Sequence, residues 1–318
     1  MPELTTFASR QSATYIKGEV FDETVTSSSV MLEKANLANW NVRLRPLDSD
    51  ARRTKETFEV VRDNPFDGGL DRLGVSGERY GTVQNEAAFG MFDHLSPEWE
   101  AAGSFRNGAL VYGQAKTDRQ IVLDPNGVSD EIRCFVVVST THDGSGALRI
   151  GRTNERLDCL NMFQAMFRGL QHSISLRHTL SINERMKAIV RVWKENNTYF
   201  DAVEAEAKEL FAKKVTNDEF FGIVGHLIGE RPELNTKGAQ TKYDNNLELF
   251  AQAWNGPTNE KVKGTAWGAF QAIIERNQWG RNIQNTENGV ENFAMAGIGF
   301  DVPTQKFRQN ALELVKAV

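Results

Sequence analysis

The run from Ile132 to Val138 in "EIRCFVVVST" constrains the fold more than any other feature of the chain. It is nearly all apolar, rich in β-branched side chains, and bounded by the turn-forming "DPNG" and "HDGSG". Such a run reads as a central strand covered on both faces. The flanking sequence supplies partners for it. In "NVRLRPL", Val42 and Leu44 alternate with Arg43 and Arg45 until Pro46, which predicts a strand with an arginine face. "ETFEVVRD" and "LDRLGVSGERYGTV" read as strands separated by "NPFDGG". "GSFRNGALVYGQAKT" reads as a hairpin turning at Asn107-Gly108, "RQIVL" as a further strand, and "ALRIGR" as the strand that returns from the apolar run. Helical spacing is found in "SSSVMLEKANLANW", with serines as candidate caps and an end at Trp40, and in "QNEAAFGMFDHL". A third helix is expected from about Asn154 to Arg168, with Leu157, Leu160, Phe163 and Phe167 on one side and Gly169 as its C-cap.

After "SISLRHT" the texture becomes helical, beginning with the long pattern "NERMKAIVRVWKENNTYFDAVEAEAKELFAKKV" and ending with "PTQKFRQNALELVKAV". The expected fold class is therefore α+β: an antiparallel sheet with packed helices in the N-terminal part and a mainly helical C-terminal part. A boundary is expected near Leu180, giving residues 1–180 and 181–318, with "GERPELNTKGAQTK" as the most linker-like stretch. With 40% hydrophobic and 25% charged residues the composition is globular, and no apolar run reaches bilayer length. "MPELTTFASRQSATY" has neither the charged start nor the apolar stretch of a signal peptide, so a cytoplasmic protein is expected. Cys134 and Cys159 read as small buried hydrophobes in a reducing compartment.

Charge is distributed unevenly by type. The chain is −5 overall, yet Arg149 to Lys194 carries nine basic side chains and three acidic ones. Arginine forks onto phosphates and stacks on flat rings, whereas lysine acts as a hydrated point charge. Arg152 and Arg156 bracket the expected helix start, where the dipole disfavours cations unless an anion or a carboxylate such as Glu155 or Asp158 compensates. His142-Asp143 resembles a fragment of a metal or hydrolase site, but Asp-Gly between two strand patterns is better read as a reversal. His178 reads as a hydrogen-bonded partner at a strand end. The glycines of "GSGALRIG" precede a strand rather than opening a helix, and the chain has no GxxxxGK[ST], GxSxG, HExxH or CxxC. No cofactor, metal site or catalytic residue is assigned, and a dispersed site of Asp143, Cys159 and His178 is one enzymatic alternative.

"DRLGVSGERYGTVQNEAAFGMFDHL", "THDGSGALRIGRTNERLDCLNMFQAMFRG" with "LRHT", and "GTAWGAFQAI" together resemble the phage/plasmid-like proteins of domain of unknown function 932. "RLDCLN" departs from the more valine-rich approach to Cys-x-Asn expected there. This resemblance implies a mobile element in a bacterial cytoplasm and leaves the activity open. The order of helix, tryptophan junction, strands and helix from Ser27 to Leu95 is similar in topology to single-strand annealing recombinases of the Redβ and Rad type. That second resemblance implies a self-assembling protein that holds single-stranded DNA in a basic groove without ATP. Arg43, Arg45, Arg133, Arg149, Arg152, Arg156 and Arg177 are the candidate contacts, and residues 1–180 the candidate nucleic-acid-binding core. The alternatives are an interaction protein that binds a host or phage protein, and a metal-dependent hydrolase built on His142 and Asp143.

Overall fold

The computed structural model describes residues 6–10, 18–47, 57–93, 97–124, 126–156, 174–195, 198–229, 237–279 and 302–318. Ten strands are present among them: β1 (Phe7–Ser9), β2 (Glu19–Val20), β3 (Arg43–Pro46), β4 (Thr57–Asp63), β5 (Leu70–Gly77), β6 (Glu98–Phe105), β7 (Leu110–Leu123), β8 (Asp130–Thr141), β9 (Ala147–Arg156) and β10 (Ile174–Arg177). The described helices are α1 (Ser28–Lys34), α2 (Asn85–Gly90), α3 (Ile182–Glu195), α4 (Thr198–Ala212), α5 (Asn217–Ile228), α6 (Lys237–Asn255), α7 (Ala266–Trp279) and α8 (Val302–Ala317). The fold class is α+β.

One sheet has seven strands in the order β10-β9-β8-β7-β6-β1-β2, and a second has three in the order β3-β4-β5. The β1–β2 pair is parallel, while β1–β6, β6–β7, β9–β10, β3–β4 and β4–β5 are antiparallel. The apolar run lies in β8, an interior strand, and every residue from Cys134 to Thr140 is buried. Val136 and Val138 join one core cluster with Leu148, Ile150, Ala102 and Val111. Phe135 and Val137, of the opposite parity, are buried too, as a strand covered on both faces requires.

Two compact units divide the chain. The first takes the described residues of Met1–Asp118, Phe135–Thr153 and Gly169–Asn197; the second takes those of Arg119–Cys134, Asn154–Arg168 and Thr198–Val318. The divisions fall inside β7 and β8, so the units interleave along the chain, and Leu180 lies inside the third segment of the first. In the first unit α1 and α2 pack on the sheet through Met31, Leu32, Ala88 and Phe89, with Phe89 stacked on Trp99 at 5.0 Å. In the second, Phe220 stacks on Trp254 at 4.4 Å, and Trp267 Nε1 donates to Asp130 Oδ2 at 3.1 Å. Helix α5 begins with a reciprocal capping box between Thr216 and Glu219.

Three local expectations change. The hairpin strand and "RQIVL" form one 14-residue strand, β7, because ladder pairing continues through the polar "KTDRQ" that reads as an interruption. Helix α1 stops at Lys34 instead of Trp40, since Asn36 takes a left-handed φ of 53°. No serine side chain caps α1; Asp93 does so, accepting from Ser28 N at 2.9 Å and Ser28 Oγ at 2.6 Å.

Candidate nucleic-acid interface

In the ladder between β9 and β10, Ile174 lies opposite Ile150, Ser175 opposite Arg149, Leu176 opposite Leu148 and Arg177 opposite Ala147. Because side chains alternate along a strand, this register sorts the residues by face. Leu148, Ile150 and Leu176 are buried in the core, while Arg149, Ser175 and Arg177 share the other face and are exposed. Arg149 and Arg177 are diagonal neighbours across the pair, a relation that sets Cα atoms about 7–8 Å apart.

Arg43 and Arg45 sit on the three-stranded sheet, each beside a carboxylate. Arg43 Nη1 meets Asp63 Oδ1 at 2.7 Å, and Arg45 pairs with Glu59, which also receives Arg72 at 3.4 Å. Arg45 holds the Glu59 carboxyl below its ordinary value, and Arg43 does the same for Asp63. A phosphate reaching this face competes with two ionised groups already in place. Arg133 is half-buried on β8, in a segment of the second unit.

Arg152 and Arg156 both lie on strand β9, and this corrects the helix expected to start at Asn154. Sheet pairing carries the strand through Asn154 and Glu155, which in isolation look like a cap and a first helical turn. Neither arginine therefore lies within a helix. Their side chains, the rest of the expected helix and Cys159 lie outside the described residues.

His142-Asp143 is the reversal between β8 and β9. Asp143 Oδ1 accepts from Ser145 N at 2.9 Å and Ser145 Oγ at 2.6 Å, and Gly144 takes a φ of 78°. The His142 ring turns away from solvent into the core and is fully buried. Asn85 Nδ2 donates to Leu37 O at 2.8 Å, which leaves Asn85 Oδ1 to accept from His142 Nε2 at 3.0 Å. Among the described residues no group of three or more His, Cys, Asp or Glu could hold a metal ion. Burial pushes the Cys134 thiol up to about 12, as expected of a cysteine acting as a small hydrophobe.

Around His142 the structure assembles residues that periodicity does not single out. Trp40 is fully buried, with the Arg62 guanidinium 3.9 Å from its ring centre and the His142 ring at 6.0 Å. Arg62 pairs with Asp71 at 3.0 Å, and Gly108, at a φ of 91°, packs so close that a β-carbon there would lie 2.5 Å from Arg62 Nη1. The loop carrying Trp40 has three left-handed asparagines, Asn36, Asn39 and Asn41. "QNE" at the start of α2 secures it. Gln84 exchanges two hydrogen bonds with the Val42 backbone, Asn85 takes Leu37 O, and Glu86 accepts from Asn39 N at 2.7 Å.

A second brace stands behind β10. His178 Nδ1 donates to Gly81 O at 3.0 Å, Thr140 Oγ1 donates to His178 Nε2 at 3.2 Å, and the ring stacks on Tyr80 at 5.0 Å. Tyr80 OH donates to Thr141 O at 2.9 Å. The expectation of a hydrogen-bonded histidine at a strand end therefore holds. A β-carbon on Gly81 would lie 2.1 Å from Thr179 O, so Gly81→Ala must push the two backbones apart. We expect it to cost about 1–3 kcal/mol, read by denaturant unfolding; a loss below about 0.5 kcal/mol, the range of a surface change, would show that this approach is not tight.

No helix among the described residues is long and apolar enough to cross a membrane. No curated protein and no solved structure matches the chain. The model of one family does, over residues 72–296, a span that contains Tyr80, Asn85, His142, Arg149, Arg177 and His178. On that match, covering more than half of its length, the chain belongs to the family described as domain of unknown function DUF932.

Proposed function

We propose that this protein binds single-stranded DNA and promotes its annealing without ATP, as a self-assembling component of recombination or replication in a phage or other mobile element of a bacterial cytoplasm. The observation that carries the reading is the pair of exposed arginines, Arg149 and Arg177, diagonal to each other on one face of β9 and β10. Guanidinium groups on a sheet face contact the sugar-phosphate backbone and leave base edges free, which is what pairing with a second strand requires. Arg43 and Arg45 add to the track only as far as phosphate displaces Asp63 and Glu59.

Fluorescence anisotropy of a labelled oligothymidylate tests this over a salt series from about 50 to 200 mM. The wild-type chain is expected to bind with strong salt dependence. Replacing both arginines (R149A/R177A) removes two phosphate contacts and lowers the log–log salt slope by about 1.4 in magnitude. Absence of binding by the full chain at low salt would sink the proposal. An unchanged slope in the double variant would remove this face from the track.

A further inference from the structure

Leu180 is 74% exposed, against 57% for Val20 and 44% for Val75. It occupies the turn between β10 and α3. Buried residues hold the turn from both sides: Leu176 before it and Ile182 after it belong to the core cluster. The turn itself is internally bonded, with Thr179 N donating to Arg177 O at 2.9 Å and Ile182 N to Thr179 O at 2.8 Å. Arg185 Nη2 crosses from α3 to both Arg177 O and Thr179 Oγ1 at 2.6 Å. Behind it stand His178, fixed by Gly81 and Thr140, and the close approach of Gly81 to Thr179 O. An apolar side chain is thus presented to solvent from a turn with little freedom to fold it away. Preorganisation of this kind reduces the ordering cost when a partner arrives.

The surroundings state the chemistry of that partner. Arg177 precedes Leu180 by three residues on the exposed face shared with Arg149, Arg185 braces the turn, and Lys187 is exposed on α3, with Glu184 the one acidic side chain of that first turn. An exposed leucine three residues beyond an exposed arginine suits a partner that is anionic along one edge and flat and apolar along another. A single-stranded nucleic acid is both, and apolar side chains that enter between bases unstack them. Resting on the single-strand-binding reading above, we propose that Leu180 is a wedge that inserts between neighbouring bases of a strand whose phosphates lie on Arg149 and Arg177. Unstacking frees neighbouring bases to reorient toward a complementary strand, so the wedge adds a step that charge alone does not supply.

An oligonucleotide carrying both a terminal fluorophore and an internal 2-aminopurine tests the wedge on the full chain. Anisotropy reports binding, and 2-aminopurine brightens when it leaves the stack. The wild-type protein is expected to raise both signals. Leu180→Ala is expected to keep the anisotropy change and its salt slope while losing most of the 2-aminopurine rise, and Leu180→Met is expected to restore it. Equal 2-aminopurine rises in wild type and L180A, or binding without any rise, would overturn the wedge and leave the single-strand-binding reading standing. Absence of any anisotropy change at low salt would overturn both. A change in sedimentation of L180A with an unchanged 2-aminopurine signal would assign Leu180 to contact between copies of the chain and overturn the wedge.

Discussion

Replacing Trp40 with alanine is expected to lower the unfolding free energy by about 3–5 kcal/mol, the range for removing a large aromatic side chain from a core. The physical case for the upper end is specific. Trp40 is fully buried, and its ring is the surface over which the Arg62 guanidinium lies at 3.9 Å. Arg62 is itself buried, its remaining partner is Asp71, and its Nη1 has no hydrogen-bond partner. Removing the ring therefore leaves a cavity and a less compensated cation together. Trp40→Phe separates the contributions. It keeps an aromatic face for Arg62 but loses the 2.9 Å hydrogen bond from Trp40 Nε1 to Asn36 O, a change worth about 1–3 kcal/mol. Guanidinium unfolding followed by circular dichroism reads both variants. A W40A loss below about 0.5 kcal/mol, the range of surface substitutions, would refute this account of the core.

The same residues show what the sequence reveals and what it conceals. The central strand was legible because an uninterrupted β-branched run has few other destinations, and β8 is an interior strand buried on both parities. The His-Asp-Gly reversal and the hydrogen-bonded role of His178 were legible through local chemistry: a turn needs its glycine, and a strand-end histidine needs partners. The continuation of β9 through Arg156 was concealed, because sheet pairing acts between segments distant in sequence while capping signals act locally. Of the seven arginines proposed as contacts, register places Arg149 and Arg177 together and sets Arg43 and Arg45 beside carboxylates. Those relations depend on cross-strand pairing, which no single segment encodes. Arg62, Trp40 and "QNE" were missed for a related reason. Their common signal is three asparagines within six residues around Trp40, a density that marks left-handed backbone and could have pointed to a strained, clamped loop.

Acid is expected to destabilise the protein well above the pH at which carboxylates protonate, with His142 as the main cause. Burial, then the nearby His178 and Arg62, lower the His142 pKa from the ordinary 6.5 to about 3. Its Nε2 donates to Asn85, so a second proton would enter at Nδ1, which is buried without a partner. Above pH 6.5 both folded and unfolded chains hold a neutral ring and stability is flat in this group. As pH falls from 6.5, the unfolded chain takes a proton that the folded one refuses. Stability then drops by about 1.4 kcal/mol per pH unit until folded His142 titrates near 3. His178 is also lowered, by burial first, against the opposing hydrogen bond to Gly81, so it steepens the same slope. Asp143 and Tyr80 stand near this second ring: the carboxylate favours its protonation, while the phenol stacks on it. Glu59, Asp63 and Glu204 are lowered carboxyls, and their contribution is lost only below their ordinary values of 4.5, 3.8 and 4.5. The interval from about pH 6.5 to 5 therefore isolates the histidines. Denaturant unfolding at several pH values in that interval should give a falling free energy for the wild type. His142→Gln, whose amide can still donate toward Asn85, should reduce the slope by about one proton, or 1.4 kcal/mol per unit. Equal slopes in the two proteins would mean that the His142 ring is not held neutral in the core, and the role assigned here to Asn85 would fall with it.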